Sequence, residues 1–269
     1  MDEPRSLAGL DTTKAHVARV YDYWLGGKDN FEADRAYGDD LEKRVPSIRL
    51  TARMNRLFLG RAVRFLAADA GIRQFLDIGT GLPTANNTHQ VAQGIAPESR
   101  VVYTDNDPLV LVHARALLTS SAAGRTAYIE ADVRNPEAIL KASELTDTLD
   151  LTQPVAVMLI AVLHLVTDDD IAYPAIRSIV DAMPSGSYLV ISHATGDFWP
   201  QEQVDAANAT NAAHKVDFRF RSQSEVARFF AGLDLVDPGI VPVAEWRSGD
   251  DRTPERAHSN IWAGVARKP

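Results

Sequence analysis

Cysteine is absent from the 269 residues. That excludes a disulfide framework, a thiolate zinc site, an iron–sulfur cluster and a thiol nucleophile. Long apolar runs are missing too. The longest, residues 155–163, is about half of what crosses a bilayer. Positive charge is in deficit: 28 Lys and Arg stand against 36 Asp and Glu, a net charge of −8. Such a balance argues against a general affinity for the nucleic-acid backbone. The opening Met1-Asp2-Glu3-Pro4 has neither the basic start nor the apolar core of a secretory signal. These absences together predict a soluble, cytoplasmic protein with no membrane or nucleic-acid partner.

What is present is ordinary globular usage, with 45% hydrophobic and 24% charged residues. At about 150 residues per domain the length allows one large α/β domain or two small ones. No repeat, low-complexity tract or Gly/Ser/Pro-rich linker divides the chain. The reading is a helical cap over residues 1–71 on one compact α/β core over 72–269.

In the cap, Thr12 or Thr13 is expected to start a helix whose apolar residues Val17, Val20, Tyr21, Trp24 and Leu25 share one face. Gly26-Gly27 stops it. A polar stretch runs to Pro46, and a second long helix is expected over 48–70. From residue 72, short apolar runs (74–78, 100–104, 126–131, 155–161 and 188–192) alternate with helical stretches. That rhythm belongs to βαβ units with a parallel sheet. Two last strands, 233–246 and 261–266, with a charged loop 247–256 between them, predict a terminal antiparallel hairpin. The expected fold is α/β and Rossmann-like, with seven strands in three layers.

The strongest chemical signal is Asp77-Ile78-Gly79-Thr80-Gly81 at the end of the first strand. Its glycines let backbone pass close to a ligand, and the following helix offers free N–H groups. A dinucleotide fingerprint would place a third glycine at position 84, where Thr84 stands. The second strand ends in Asp105, a carboxylate that suits a ribose diol. The third ends Glu130-Ala131-Asp132-Val133, and the fourth leads through Ala161 to His164.

Asp77-x-Gly79-x-Gly81 resembles the first motif of the class I S-adenosylmethionine-dependent methyltransferases. The string from Ala18 to Phe31, with 74–84, Asn87-Thr88-His89 and 102–108, is more specific. It resembles an actinobacterial family of such methyltransferases whose substrate is unknown, over residues 12–267. The resemblance implies the fold and S-adenosylmethionine as cofactor but supplies no substrate; the net charge of −8 and the lack of a basic face lead to the expectation of a small-molecule acceptor. It implies that Asp77, Gly79, Thr80 and Gly81 hold the methionine end and Asp105, with Asn106 beside it, the ribose. Asp132 and Val133 then meet the adenine, and Ala161 lines the cleft.

In that superfamily the segment before the first motif closes over the cofactor, so Tyr21, Tyr23, Lys28, Asn30 and Phe31 are candidates for a lid, with Trp24 read as core. Arg49, Arg53 and Arg56 fall on one side of the second helix and read mainly as a solvated face, Arg53 being the exception that could meet the cofactor carboxylate. His164, past the fourth strand, is the expected general base, with Tyr23 beside it as a catalytic candidate. His193 and His89 are secondary. No metal-ligand spacing is present, and Asp168-Asp169-Asp170 reads as a helix start. Residues 198–220 form an insertion expected to shape the substrate side.

Two rivals use the same residues. A non-catalytic cofactor-binding regulator would carry an identical motif but a filled substrate cleft. A nicotinamide-dependent reductase is opposed by Thr84 and by the terminal hairpin.

Overall fold

The alternation within the apolar runs decides which side chains meet on each face of the sheet. In the computed structural model, which describes residues 11–84, 86–117, 120–249 and 259–269, five of these runs pair in parallel. They are β1 (Gln74–Ile78), β2 (Arg100–Asp105), β3 (Arg125–Glu130), β4 (Ala156–Ile160) and β5 (Tyr188–Ala194). Two short strands, β6 (Asp234–Leu235) and β7 (Val241–Pro242), and a full-length one, β8 (Ile261–Arg267), follow. The strand order is β3-β2-β1-β4-β5-β8-β6, with β7 also on β8, and β8 runs antiparallel to β5.

Leu76, Ile78, Val102, Val157, Leu159, Leu189 and Ile191 face one core, and Phe75, Val101, Tyr103, Met158 and Val190 the other. Among the described residues ten α-helices accompany the sheet: α1 (Val17–Leu25), α2 (Glu32–Arg44), α3 (Ile48–Arg64), α4 (Thr88–Ile95), α5 (Pro108–Leu117), α6 (Pro136–Lys141), α7 (Ser143–Thr148), α8 (Asp169–Ala182), α9 (Gln201–Ala213) and α10 (Gln223–Arg228). The first core is closed by residues of α6, α7, α8 and α10, the second by α3 and α4. A π-helical turn, Phe65–Asp69, extends α3 to the length expected from sequence.

Several expectations are corrected. The polar stretch before Pro46 contains α2, which buries only Tyr37 and Leu41 among its large apolar residues. The first helix starts at Val17, after His16, and not at Thr12 or Thr13. The expected strand 233–246 is two short pairings with β8, separated by a turn through Pro238 and Gly239, so the sheet has eight strands instead of seven. Residues 250–256 of the charged loop lie outside the described residues. Asp168 does start a helix: its side chain accepts from the Asp170 amide and caps α8.

Candidate active site

β1 delivers Asp77 to the edge of the sheet and then turns sharply. Gly79 and Gly81 both take left-handed backbone (φ 70° and 66°), which glycine adopts without steric cost. Their reasons differ. A Cβ on Gly79 would come within 2.2 Å of the Val162 side chain, whereas one on Gly81 would meet open space. The turn is clamped to β2, because the Gly79 and Thr80 amides donate to the Thr104 carbonyl at 2.7 and 3.2 Å. The Gly81 amide donates to Oδ2 of Asp105 at 2.9 Å, and the Asp107 amide to Oδ1 at 2.9 Å. Each Asp105 oxygen thus has one amide donor and keeps acceptor capacity for a ligand diol.

The three strand-end acids sit in different environments. Asp77 is buried, and Thr88 donates to it at 2.6 Å. Burial pushes its pKa up to about 6, against the pull of Thr88 and Arg56. Burial also raises Asp105, opposed by the amides of Asp107 and Gly81. Asp132 is held down at about 2 by hydrogen bonds from Arg134, with the Asn106 amide donating at 2.8 Å.

Over these acids lies α1, placed unusually for an amphipathic helix. Its fully buried positions include two charged residues, Arg19 and Asp22. Arg19 pairs with the buried Asp34 at 3.0 Å, and Asp22 accepts from the Asp29 amide and from Asn30. Its apolar residues Val17, Val20, Tyr21 and Trp24 instead line a cleft of about 180 Å³ at the carboxyl ends of β1 to β4.

That cleft brings together Tyr21, Asp77, Gly79, Thr80, Gly81, Asp105, Asn106, Asp132, Val133, Ala161 and His164. Ala161 holds a left-handed backbone (φ 59°), rare for a residue with a Cβ, and its amide is caught by Ser192. Other expected residues lie elsewhere. The Tyr23 hydroxyl donates to Asp39 at 2.7 Å and its ring lies under the Arg49 guanidinium, outside the cleft. Asn30 is occupied by Asp22 and the Gly27 carbonyl. Phe31 packs beside Leu82, Leu109 and Val110, and Lys28 is exposed. Arg53 faces solvent, while Arg56, one turn on, lines the cleft. Arg49 pairs with Glu42. His89 is buried against Tyr103.

His193 is not a cleft residue. Fully buried, it donates from Nδ1 to the Ala194 carbonyl and accepts on Nε2 from Arg221 at 2.9 Å. Burial keeps it neutral, with its pKa lowered to about 3. Arg221, itself fully buried, also donates to Asp169 and to the carbonyls of Leu163 and Val166, fixing the turn that carries His164. His164 accepts on Nδ1 from the Ala194 amide at 3.4 Å and lies 4.6 Å from the Phe218 ring. Burial drives its pKa well below the ordinary histidine value, reinforced by His193 and Arg221.

The cleft also contains residues that sequence reasoning did not place there: His16, Trp24, Tyr37, Asn55 and Arg56; Phe218 comes from the 198–220 insertion expected on the substrate side. Trp24 carried a signal, since it shares a helix face with Tyr21. Tyr37 stands in a polar stretch and carried none.

A doubly wound sheet with a terminal antiparallel strand inserted beside β5, and a glycine turn flanked by strand-end acids, defines the class I methyltransferase fold. The sequence matches the S-adenosyl methyltransferase family over residues 4–269, and the chain belongs to that family. It is similar to a DUF574 family protein from Streptomyces avermitilis, with 49% identity over 96% of this chain and 99% of the other (TM-score 0.91). It is also similar to a candidate methyltransferase from Thermobifida fusca, with 41% identity over 99% of each chain (TM-score 0.89). An O-methyltransferase family protein from Burkholderia thailandensis shares the fold at 18% identity (TM-score 0.51), covering 87% of this chain and 61% of that one. No curated protein matches the sequence.

S-adenosylmethionine is the cofactor of this family, and the residues present fit it. Gly81 leaves open space where a Cβ would stand, and Asp105 retains acceptor capacity at the β2 tip. Among the described residues no helix is long and apolar enough to cross a membrane.

Proposed function

We propose that this protein is a cytoplasmic enzyme that transfers the methyl group of S-adenosylmethionine to a small-molecule acceptor. The observation that carries the reading is continuity. One cavity runs from the glycine turn and Asp77, Asp105 and Asp132 to an apolar wall at Tyr21, Trp24, Phe218 and His164. A regulator that only bound the cofactor would have no use for that second part.

When bound, the cofactor supplies an electrophilic methyl group on a sulfonium, open to in-line displacement. Gly79, Thr80 and Gly81 with Asp77 hold the methionine end, Asp105 and Asn106 the ribose, and Asp132 and Val133 the adenine. Arg56, beside the glycine turn, takes the carboxylate role that sequence gave to Arg53. Val17, Val20 and Trp24 exclude water, so positioning and desolvation carry most of the rate.

His164 has a different role from the base expected of it. With Nδ1 accepting from Ala194, its proton sits on Nε2, so the neutral ring offers a donor that can orient an acceptor oxygen. Tyr23, outside the cleft, takes no part in transfer.

Purified protein with S-adenosylmethionine and a panel of phenols, amines and carboxylic acids tests the reading through release of S-adenosylhomocysteine. Release above the acceptor-free rate, lost in Asp105→Ala, supports transfer. Intact cofactor binding with no release across the panel would favour the non-catalytic binder.

A further inference from the structure

α3 packs on α1 and brings two consecutive residues, Asn55 and Arg56, to the wall of the cleft. Asn55 is buried, and a neighbour orients its amide. The Tyr21 hydroxyl donates to the Ala52 carbonyl at 3.0 Å, so the group that faces it must be a donor. The Asn55 NH₂ takes that place at 3.0 Å. Oδ1, on the other arm of the amide, points away from Tyr21 and has no partner.

That vacancy is unusual in this site. Among the described cleft residues, two side chains carry a buried polar atom without a hydrogen bond, His16 at Nδ1 and Asn55 at Oδ1. His16 Nδ1 still lies 3.0 Å from a carboxylate oxygen of Asp107. Asn55 Oδ1 has no such compensation. A buried acceptor left unsatisfied is costly, and at the wall of a ligand cavity it marks where a donor of the ligand arrives.

Its surroundings indicate which donor. Arg56, the next residue, donates to the Asn86 carbonyl at 3.3 Å, on the loop after the glycine turn. Its charge also reaches both the Tyr21 hydroxyl and the Asp77 carboxyl. Tyr21, Asn55, Arg56 and Asp77 therefore border one end of the cleft, the end that takes the methionine part of the cofactor. An α-amino acid carries its ammonium and carboxylate on one carbon. A carboxylate held by Arg56 thus leaves the ammonium within reach of the adjoining side chain. Asp105 already acts on Asp77 as a like charge. A neutral amide oxygen can receive the ammonium without adding a third carboxylate.

We propose that Asn55 Oδ1 accepts a hydrogen bond from the α-ammonium of the cofactor, which makes Asn55 a specificity-determining residue for its amino-acid end. The inference rests on the methyltransferase reading.

Three ligands test it by calorimetric titration: S-adenosylhomocysteine, its des-amino analogue (the thiobutyrate ether of the same nucleoside), and 5′-methylthioadenosine, which lacks the amino-acid end. The unaltered protein should prefer S-adenosylhomocysteine to the des-amino analogue by about tenfold or more. Asn55→Leu should weaken S-adenosylhomocysteine by about tenfold or more and shift the des-amino analogue by less than about twofold, so the preference collapses. Asn55→Asp, which keeps an acceptor, should retain the preference. 5′-Methylthioadenosine should bind all three proteins alike, which shows that the variants are folded. Equal affinity of the unaltered protein for S-adenosylhomocysteine and its des-amino analogue would overturn the inference, whatever the variants do. So would equal weakening of both by Asn55→Leu, or no weakening of either. Failure of both S-adenosylhomocysteine and 5′-methylthioadenosine to bind the unaltered protein would instead sink the underlying methyltransferase reading.

Discussion

The Gly81 amide and the Asp105 carboxylate meet at 2.9 Å across the carboxyl ends of β1 and β2. One acid therefore fixes the shape of the glycine turn and keeps acceptor capacity toward the cleft, so the turn's geometry and the cofactor's binding group are one unit.

The two glycines of that turn should respond differently to a methyl group. Gly79→Ala drives a Cβ into Val162 as well as straining the backbone, and is expected to cost about 2–4 kcal/mol. Val162→Ala in the same chain should recover part of it. Gly81→Ala meets open space and should cost only the backbone strain, about 1–2 kcal/mol, while weakening cofactor binding. Urea melts of the four proteins, with and without S-adenosylhomocysteine, separate the effects.

Asp77 is placed at a cost to stability. Its folded pKa of about 6 exceeds the ordinary 3.8, so its contribution is greatest below pH 3.8 and falls as pH rises to about 6, beyond which it is constant. Asn does not titrate and still accepts from Thr88. Asp77→Asn is expected to raise the stability of the free protein by about 1–3 kcal/mol at pH 7.5 and to weaken cofactor binding. The gain should vanish toward pH 4. A variant destabilised at pH 7.5 would contradict this.

The buried histidines slope the other way. His193 has a folded pKa of about 3 against 6.5 unfolded, so its stabilisation is present above pH 6.5 and lost as pH falls toward 3. His164 is depressed in the same direction. Each contributes a slope of about 1.4 kcal/mol per pH unit in that window. In the Asp77→Asn background, where Asp77's opposing slope is gone, urea stability should fall from pH 6.5 to pH 5. His193→Gln, which can still accept from Arg221, should flatten that fall by about half.

Arg221 ties Asp169 of α8 and His193 of β5 to the carbonyls at both ends of the turn bearing His164. Arg221→Met strips the guanidinium from both carbonyls, leaving Leu163 only the Val166 amide, and should cost about 3–5 kcal/mol. Arg221→Lys should recover little, because one ammonium cannot reproduce the planar fork. Thermal melts of the two variants decide it.

The sheet and its acids were legible because burial on both faces writes continuous apolar runs, and because Asp77, Asp105 and Asp132 stand at the ends of three of them. The broken strand was legible in principle, since Asp237-Pro238-Gly239 is turn chemistry inside an apolar stretch. α2 was hidden by its thin apolar stripe and by Gly38 in its middle. A Cβ at Gly38 would come within 2.8 Å of the Tyr23 ring, so close packing of α1, which sequence does not display, places a glycine there. Tyr23 and Arg53 were misplaced for a related reason. Helical spacing says which residues share a face, not which face the cleft takes, and α1 buries its charges and gives its apolar side to the cleft. Arg221, one residue past the insertion, carried no sequence signal, because nothing in the sequence displays the four partners its five donors reach.

The most direct test is calorimetric titration of S-adenosylmethionine, S-adenosylhomocysteine and NADH into the protein and into Asp105→Ala. Both sulfur nucleotides are expected to bind and NADH not to. Asp105→Ala should weaken the two by about 10- to 150-fold, the worth of a charge-assisted contact of about 1.5–3 kcal/mol. A preference for NADH, or binding of the sulfur nucleotides indifferent to Asp105, would contradict the account.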